Sequence, residues 1–376
     1  SLGKLALDEL GMGASGEHTP FGPVHNPWAR GFVPGGSSSG PAAAVASRTA
    51  CVALGSDTGG SIRQPAALCG LLGLKPSHGR VSRRGLVAFA SSLDQAGPIT
   101  RDVRDAALVL GCLSGQDPGD STSLAAPVPD YLAAVRRGQD EGLVGVRVGV
   151  LTGPGIASLD PEPRACFERA LAELKAAGAT LVAVALPHLE LAAPTYWAVA
   201  CAEAASNLAR YDGLRYGRHV PGDSLEDSLA RTRAAGFGAE VQRRVLLGTL
   251  LLGDAARLER AMRARTLVAR DHAQAFTECD VIATPTTCGP ARRIGAAEDL
   301  AARLREDFLL VGANLAGLPA ISVPAGFCAA RADRPRLPVG LHLIAPRLAE
   351  PTLLRVAAAH EARTDWHREV APGAQG

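Results

Sequence analysis

Two short glycine–serine runs hold the chemistry-bearing residues of this sequence: Gly36-Ser37-Ser38-Ser39-Gly40 and Asp57-Thr58-Gly59-Gly60-Ser61. A serine hydroxyl becomes a nucleophile when a base takes its proton and when donors await the oxyanion that forms. Paired glycines let the backbone turn its N–H groups inward to supply such donors. The first run satisfies G-x-S-x-G, which would put Ser38 on a strand-to-helix elbow. An elbow needs a strand directly before it, and residues 30–34 (RGFVP) make a poor one. Nothing singles out a partner among the nine histidines. The second run follows an apolar strand, and the N–H groups of Thr58, Gly59, Gly60 and Ser61 can converge on one oxyanion. Ser61 is therefore the better candidate nucleophile. A phosphate-binding loop is disfavoured because no Gly-Lys-Ser/Thr follows. A flexible linker is disfavoured by Ile62-Arg63-Gln64-Pro65.

The elements that must position these loops read as α/β. Pro41 suits the first turn of a helix over 42–50, and 51–54 reads as a short buried strand. One helical turn is expected at 65–69, an apolar run at 70–74 and an amphipathic helix at 102–113. Residues 117–130 read as a surface loop. A β-α-β unit follows, with strands at 144–151 and 180–186 and a helix at 161–177 ended by Gly178. Residues 195–277 are almost wholly helical and predict a lobe over one face of a sheet. Further strands fall at 280–284, 320–324 and 339–344, with helices at 308–316 and 350–363. A short helix is expected around 5–10, and the last six residues read as a frayed tail. Alternating strands and helices predict a sheet with helices on both faces. The whole of 1–376 reads as one domain, with 195–277 a lobe within it.

Composition narrows the function classes. The chain of 376 residues is 47% hydrophobic, enough for a large core, and its 39 basic and 37 acidic residues leave a net charge of +2. That balance argues for neither nucleic acid nor an anionic membrane as the main partner. Eight scattered cysteines without a C-x-x-C pair predict buried free thiols, no metal site and a cytoplasmic setting. No signal peptide or membrane span is expected. The Arg-rich stretch 257–270 reads as a solvated face. Arg63 is expected to tie the second loop to a carboxylate such as Asp94.

Residues 34–65, Gly73-Leu74-Lys75-Pro76 and Ser91-Ser92-Leu93-Asp94-Gln95-Ala96-Gly97-Pro98 together resemble the amidase signature family. Gly55–Pro65, Gly79-Arg80-Val81-Ser82-Arg83, Asp120-Ser121-Thr122-Ser123, Ser206-Asn207-Leu208-Ala209-Arg210-Tyr211-Asp212-Gly213 and Asn314-Leu315-Ala316-Gly317-Leu318-Pro319 resemble its branch of A subunits of tRNA-dependent amidotransferases. The resemblance spans about residues 3–366. It implies the amidase signature fold, a central mixed twisted sheet between helices. It also implies a Ser–cisSer–Lys triad, with Ser61 the nucleophile, Ser37 the serine after a cis peptide bond, and an oxyanion hole at Thr58 to Ser61. Glutamine would be held by Tyr196, Arg244 and Asp307. The reaction implied is hydrolysis of glutamine, supplying ammonia for amidation of Glu-tRNA(Gln) or Asp-tRNA(Asn). B and C subunits would be partners, with ATP, Mg²⁺ and most tRNA contacts on the partner and no cofactor on this chain. The family's triad lysine lies in a Lys-Asp motif upstream of the first loop. Here the only lysines are Lys4, Lys75 and Lys175, which match other positions. This leaves two expectations: an N-terminally incomplete chain, or a subunit without hydrolysis. A free-standing amidase for another amide is the remaining alternative. Ser39 and Pro41 also stand where the family usually has Gly and Ser.

Overall fold

Period-2 alternation along the central strands sets the layers. In β6 (Val281–Pro285), Val281 and Ala283 face one core while Ile282 faces the other. In β7 (Ala320–Cys328), Ile321 and Val323 oppose Ala320 in the same way. Such strands, buried on both sides, require helices on both faces. The computed structural model describes residues 2–374 apart from 154, 155, 157, 158 and 297–299. It contains one eight-stranded mixed sheet. The other strands are β1 (Ala53–Asp57), β2 (Leu72–Lys75), β3 (Gln95–Thr100), β4 (Arg147–Leu151), β5 (Thr180–Val184) and β8 (Leu337–Ile344). Their order is β1-β3-β2-β7-β8-β6-β4-β5. Pairing is antiparallel from β1 to β6 and parallel across β6, β4 and β5.

One face is covered by α3 (Val103–Leu113), α4 (Tyr131–Glu141), α5 (Pro161–Ala176) and α11 (Glu350–Glu361). The helix α5 starts at Pro161, where a missing N–H costs nothing, and carries Glu162 in its first turn and Lys175 in its last, both favourable to the helix dipole. The opposite face is covered by α6 (Ala192–Leu208), α9 (Ala255–Ala275) and α10 (Leu300–Leu315). Two further helices, α7 (Leu225–Gly236) and α8 (Ala239–Leu252), complete the helical run. At the β1 end of the sheet α1 (Ser39–Ala46) packs on β1 and β3, while α2 (Arg63–Leu68) lies on the central strands β2, β7 and β8.

Several expectations are corrected. The first strand is 53–57, not 51–54, because Cys51 and Val52 are exposed and the pairing with β3 begins at Ala53. The strand β3 itself was hidden by Gly97 and Pro98, which break strand pattern; both sit in register opposite Gly55 and Leu54. The helix α4 was also unread, although Asp130 caps it by accepting from Ala133 N–H. Only a 3₁₀ turn, Glu9–Gly11, stands where a helix around 5–10 was expected. The strand β7 runs through Pro324 to Cys328, made possible by a register shift between Pro324 and Gly326. The expected frayed tail is docked as far as Ala374: Ala371 is buried and Gly373 N–H donates to Pro27 O. Residues 375 and 376 lie outside the described ones. Six of the eight free cysteines are buried, but Cys51 and Cys112 are exposed.

Candidate active site

The second glycine–serine loop is folded around a buried carboxylate. Asp57 ends β1 and is fully buried. Its oxygens accept from Arg63 Nε and Nη2 at 3.0 Å each, Gly60 N at 2.8 Å, Ile62 N at 3.2 Å and Asn314 Nδ2 at 2.8 Å. Burial alone would raise its pKa, but the Arg63 guanidinium overrides this and holds it well below the usual carboxylate range. Arg63 is also fully buried, and donates to Leu310 O and Asn314 Oδ1 on α10. So α10 is fastened to the back of the loop. The partner of Arg63 is Asp57 and not Asp94. Asp94 instead accepts from Thr58 Oγ1 at 2.7 Å and from the N–H groups of Phe89 and Ala90 at 3.0 Å. Its burial pushes its pKa up to about 6.

The first loop lies against the second. Ser38 N–H donates to Ser61 O at 3.1 Å, and Gly36 N–H donates to Gln64 Oε1 at 2.9 Å. The Gly36–Ser37 peptide bond is cis, at the position where the family resemblance implies one. Ser37 Oγ is buried and has no hydrogen-bond partner among the described residues. Ser38 Oγ is turned to the backbone of Ser56, at 3.2 Å from both its N and O. That commitment, and the absence of a strand before it, removes Ser38 as a nucleophile.

Ser61 opens onto a narrow, solvent-open cavity. Gly36, Gly59, Gly60 and Gln64 form the wall beside it, and Tyr196, Trp197, Arg244 and Asp307 form the far wall. The expected oxyanion hole narrows here. Gly60 N–H is spent on Asp57, and Thr58 is not among the cavity-lining residues. Gly59 and Ser61 line the cavity, and their N–H groups have no protein acceptor among the described residues.

The helices bring the far wall together. On α6, Tyr196 lies against Gly59: a Cβ on that glycine would meet Tyr196 Cζ at 2.5 Å. On α8, Gly248 lets the backbone close on α6, since a Cβ there would meet Cys201 O at 1.9 Å. This approach sets Arg244, one turn earlier, beside Tyr196. Arg244 Nε donates to Glu240 Oε1 at 2.8 Å, and Glu240 also takes Nε and Nη2 of Arg243. The Arg244 guanidinium carbon lies 4.4 Å from the Trp197 ring centroid and 5.5 Å from that of Phe89. Burial would lower its pKa, but Tyr196 and Glu240 raise it, so the cation is secure. Burial pushes the Tyr196 phenol up, keeping it a neutral donor. Asp307, on α10, accepts from Trp197 Nε1 at 3.0 Å.

Sequence reasoning missed Gln64, Phe89, Trp197 and Glu240. Glu240 was findable as the i, i+4 partner of Arg244 on a helix. Trp197 adjoins Tyr196, but its aim toward Asp307 is a tertiary fact. None of the three lysines lines the cavity: Lys4 and Lys175 are exposed, and Lys75 Nζ donates to Pro76 O and Leu318 O. Among the described residues no group of three His, Cys, Asp or Glu is placed to hold a metal, and no helix is long and apolar enough to cross a membrane.

This arrangement offers a serine nucleophile, two backbone donors for an oxyanion, and a cation and an anion on the facing wall. Comparison with known proteins bears on what it serves. The Amidase family profile matches residues 1–354. The A subunits of the glutamyl-tRNA(Gln) amidotransferases of Roseiflexus castenholzii and Moorella thermoacetica are each 50% identical to this chain, over 373 and 371 residues respectively. Both matches cover 98% of this chain and 74% of the relative. Among solved structures, the corresponding subunit of the Thermotoga maritima glutamyl-tRNA(Gln) amidotransferase superposes with a TM-score of 0.78 at 40% identity, over 96% of this chain and 72% of that one. The peptide amidase of Stenotrophomonas maltophilia gives 0.78 at 34% identity, over 99% and 74%. The sheet, the paired glycine–serine loops and these matches agree: the chain belongs to the amidase signature family.

Proposed function

We propose that this chain is the glutamine-hydrolysing subunit of a tRNA-dependent amidotransferase. One observation carries the reading: Arg244 and Asp307 share a cavity with Ser61. A guanidinium suits an α-carboxylate and a carboxylate suits an α-ammonium, so the far wall fits an α-amino acid head group. The side-chain carboxamide then points at Ser61. Ser61 Oγ attacks the amide carbon, and the oxyanion is held by the N–H groups of Gly59 and Ser61. The C–N bond breaks, the proton from Ser61 passes to the departing nitrogen through the Ser37 hydroxyl, and ammonia leaves. Water then cleaves the acyl ester to give glutamate. The family's lysine would serve as base; the three lysines of residues 1–376 do not fill that place.

The 50%-identical relatives are named as A subunits of a glutamyl-tRNA(Gln) amidotransferase. By that likeness this chain works in the cytoplasm with B and C subunits, and the ammonia goes to Glu-tRNA(Gln) or Asp-tRNA(Asn). ATP and Mg²⁺ belong to the partner, as do most tRNA contacts, in keeping with a net charge of only +2. The second reading is a subunit that binds glutamine without hydrolysing it; among the described residues no lysine lines the cavity. One experiment separates the two. Glutamine-dependent ammonia release is measured for the gene's full product assembled with its partner subunits, and for the same assembly with Ser61→Ala. The proposal expects release that falls by about a thousandfold or more in the variant. Release that is unchanged in the variant sinks the mechanism, and glutamine binding without release from the unaltered assembly favours the second reading.

A further inference from the structure

The two head-group readers do not stand independently. Trp197 lines the cavity between them and touches both. Its ring face lies 4.4 Å from the Arg244 guanidinium carbon, and its indole N–H donates to Asp307 Oδ2 at 3.0 Å. The same ring also lies 4.9 Å from the Arg243 guanidinium, and Glu240 holds both arginines from the other end. The Phe89 ring also lies against Arg244, at 5.5 Å. Phe89 is itself fixed by Asp94, the residue that holds Thr58 in the nucleophile loop.

We infer that Trp197 is a specificity-determining residue: by holding the Arg244 cation with its face and the Asp307 carboxylate with its N–H, it fixes their separation to that of an α-amino acid zwitterion. The inference rests on the glutamine reading and adds to it the residue that couples the two charges. The chemistry is specific to tryptophan. A ring without an N–H keeps the arginine contact and loses the hydrogen bond to the aspartate. An aliphatic side chain loses both. Peptide amidases and aryl acylamidases share this fold, so the fold alone does not choose a free amino acid.

The test is a binding experiment, which needs no turnover. Calorimetry on the assembled complex compares L-glutamine with glutaramic acid, which lacks the α-ammonium, and 4-aminobutanamide, which lacks the α-carboxylate. Trp197→Phe is expected to weaken L-glutamine and 4-aminobutanamide about tenfold, as expected for a loosened hydrogen bond to a charged group, while glutaramic acid changes by less than about threefold. Trp197→Leu is expected to weaken all three. Asp307→Asn, which removes the counter-charge to the α-ammonium, should weaken the same two ligands, and Trp197→Phe should add little on that background, since it acts on the ammonium through the Asp307 carboxylate. Trp197→Phe that weakens all three ligands equally, or none, overturns the inference and leaves the glutamine reading standing. Unaltered protein that binds glutaramic acid as tightly as L-glutamine overturns both.

Discussion

Asp57, Arg63 and Lys75 are fully or almost fully buried behind the second glycine–serine loop, and their charges act on one another. Asp57 and Arg63 offset each other's desolvation through a bidentate pair. Among the described residues Lys75 contacts no carboxylate, only two carbonyls. Burial first, and then the Arg63 charge, lower its pKa from 10.5 to about 7. The folded pKa is thus below the unfolded one. Between pH 7 and 10.5 the unfolded chain holds a proton that the folded chain has released, so this group makes stability rise with pH across that window. The slope is at most ~1.4 kcal/mol per pH unit for one proton. Lys75→Met should flatten the rise. Urea midpoints at about pH 7 and about pH 9.5 check it, and an equal rise in both proteins would refute the assignment. The sequence disclosed that Arg63 needed a carboxylate. It did not disclose which one, because Asp57 and Asp94 are both near the loop and only the fold aims them apart.

At the scale of elements, the far wall depends on how closely α6 and α8 approach. Gly248 has no room for a methyl group, which would fall 1.9 Å from Cys201 O. Gly248→Ala should force the helices apart and cost ~1–3 kcal/mol of stability. Arg244 sits one turn away, so the same change should raise KM for glutamine while kcat moves little, as expected when uniform binding is lost. Urea denaturation and steady-state kinetics of the assembled enzyme check both effects; a fall in kcat with KM unchanged would contradict them. The elements themselves were unevenly legible. α5 announced itself through Pro161, its apolar spacing and its flanking strands. β3 did not, because Gln95-Ala96-Gly97-Pro98-Ile99-Thr100 carries two strand breakers and is made a strand by β1 and β2 on either side. α4 was obscured by the proline-rich loop before it.

For the whole molecule, the site is a seam. Ser61 and Gly59 come from the loop after β1, Tyr196 and Arg244 from the helical run, and Asp307 from α10, which Arg63 and Asn314 fasten to the loop. A ligand that spans this seam stabilises both sides at once. L-Glutamine at saturation should therefore slow amide hydrogen exchange both at 57–61 and along 239–252. Protection on one side alone would mean that the head group and the carboxamide do not bridge the two walls.

The sequence by itself determined the family and the layered α/β class, and it marked out Ser61, Ser37, Tyr196, Arg244 and Asp307 as candidates. These are carried by long local motifs, and a motif fixes residue types and their near neighbours. The tertiary structure decided which backbone donors of the second glycine–serine loop remain without an acceptor. Gly60 N–H belongs to Asp57 because a buried carboxylate must be fully hydrogen-bonded. It also decided that none of Lys4, Lys75 and Lys175 lines the cavity, and that Trp197 joins the two charges of the far wall. Such facts depend on where side chains far apart in the chain come to point, and local spacing carries no record of that.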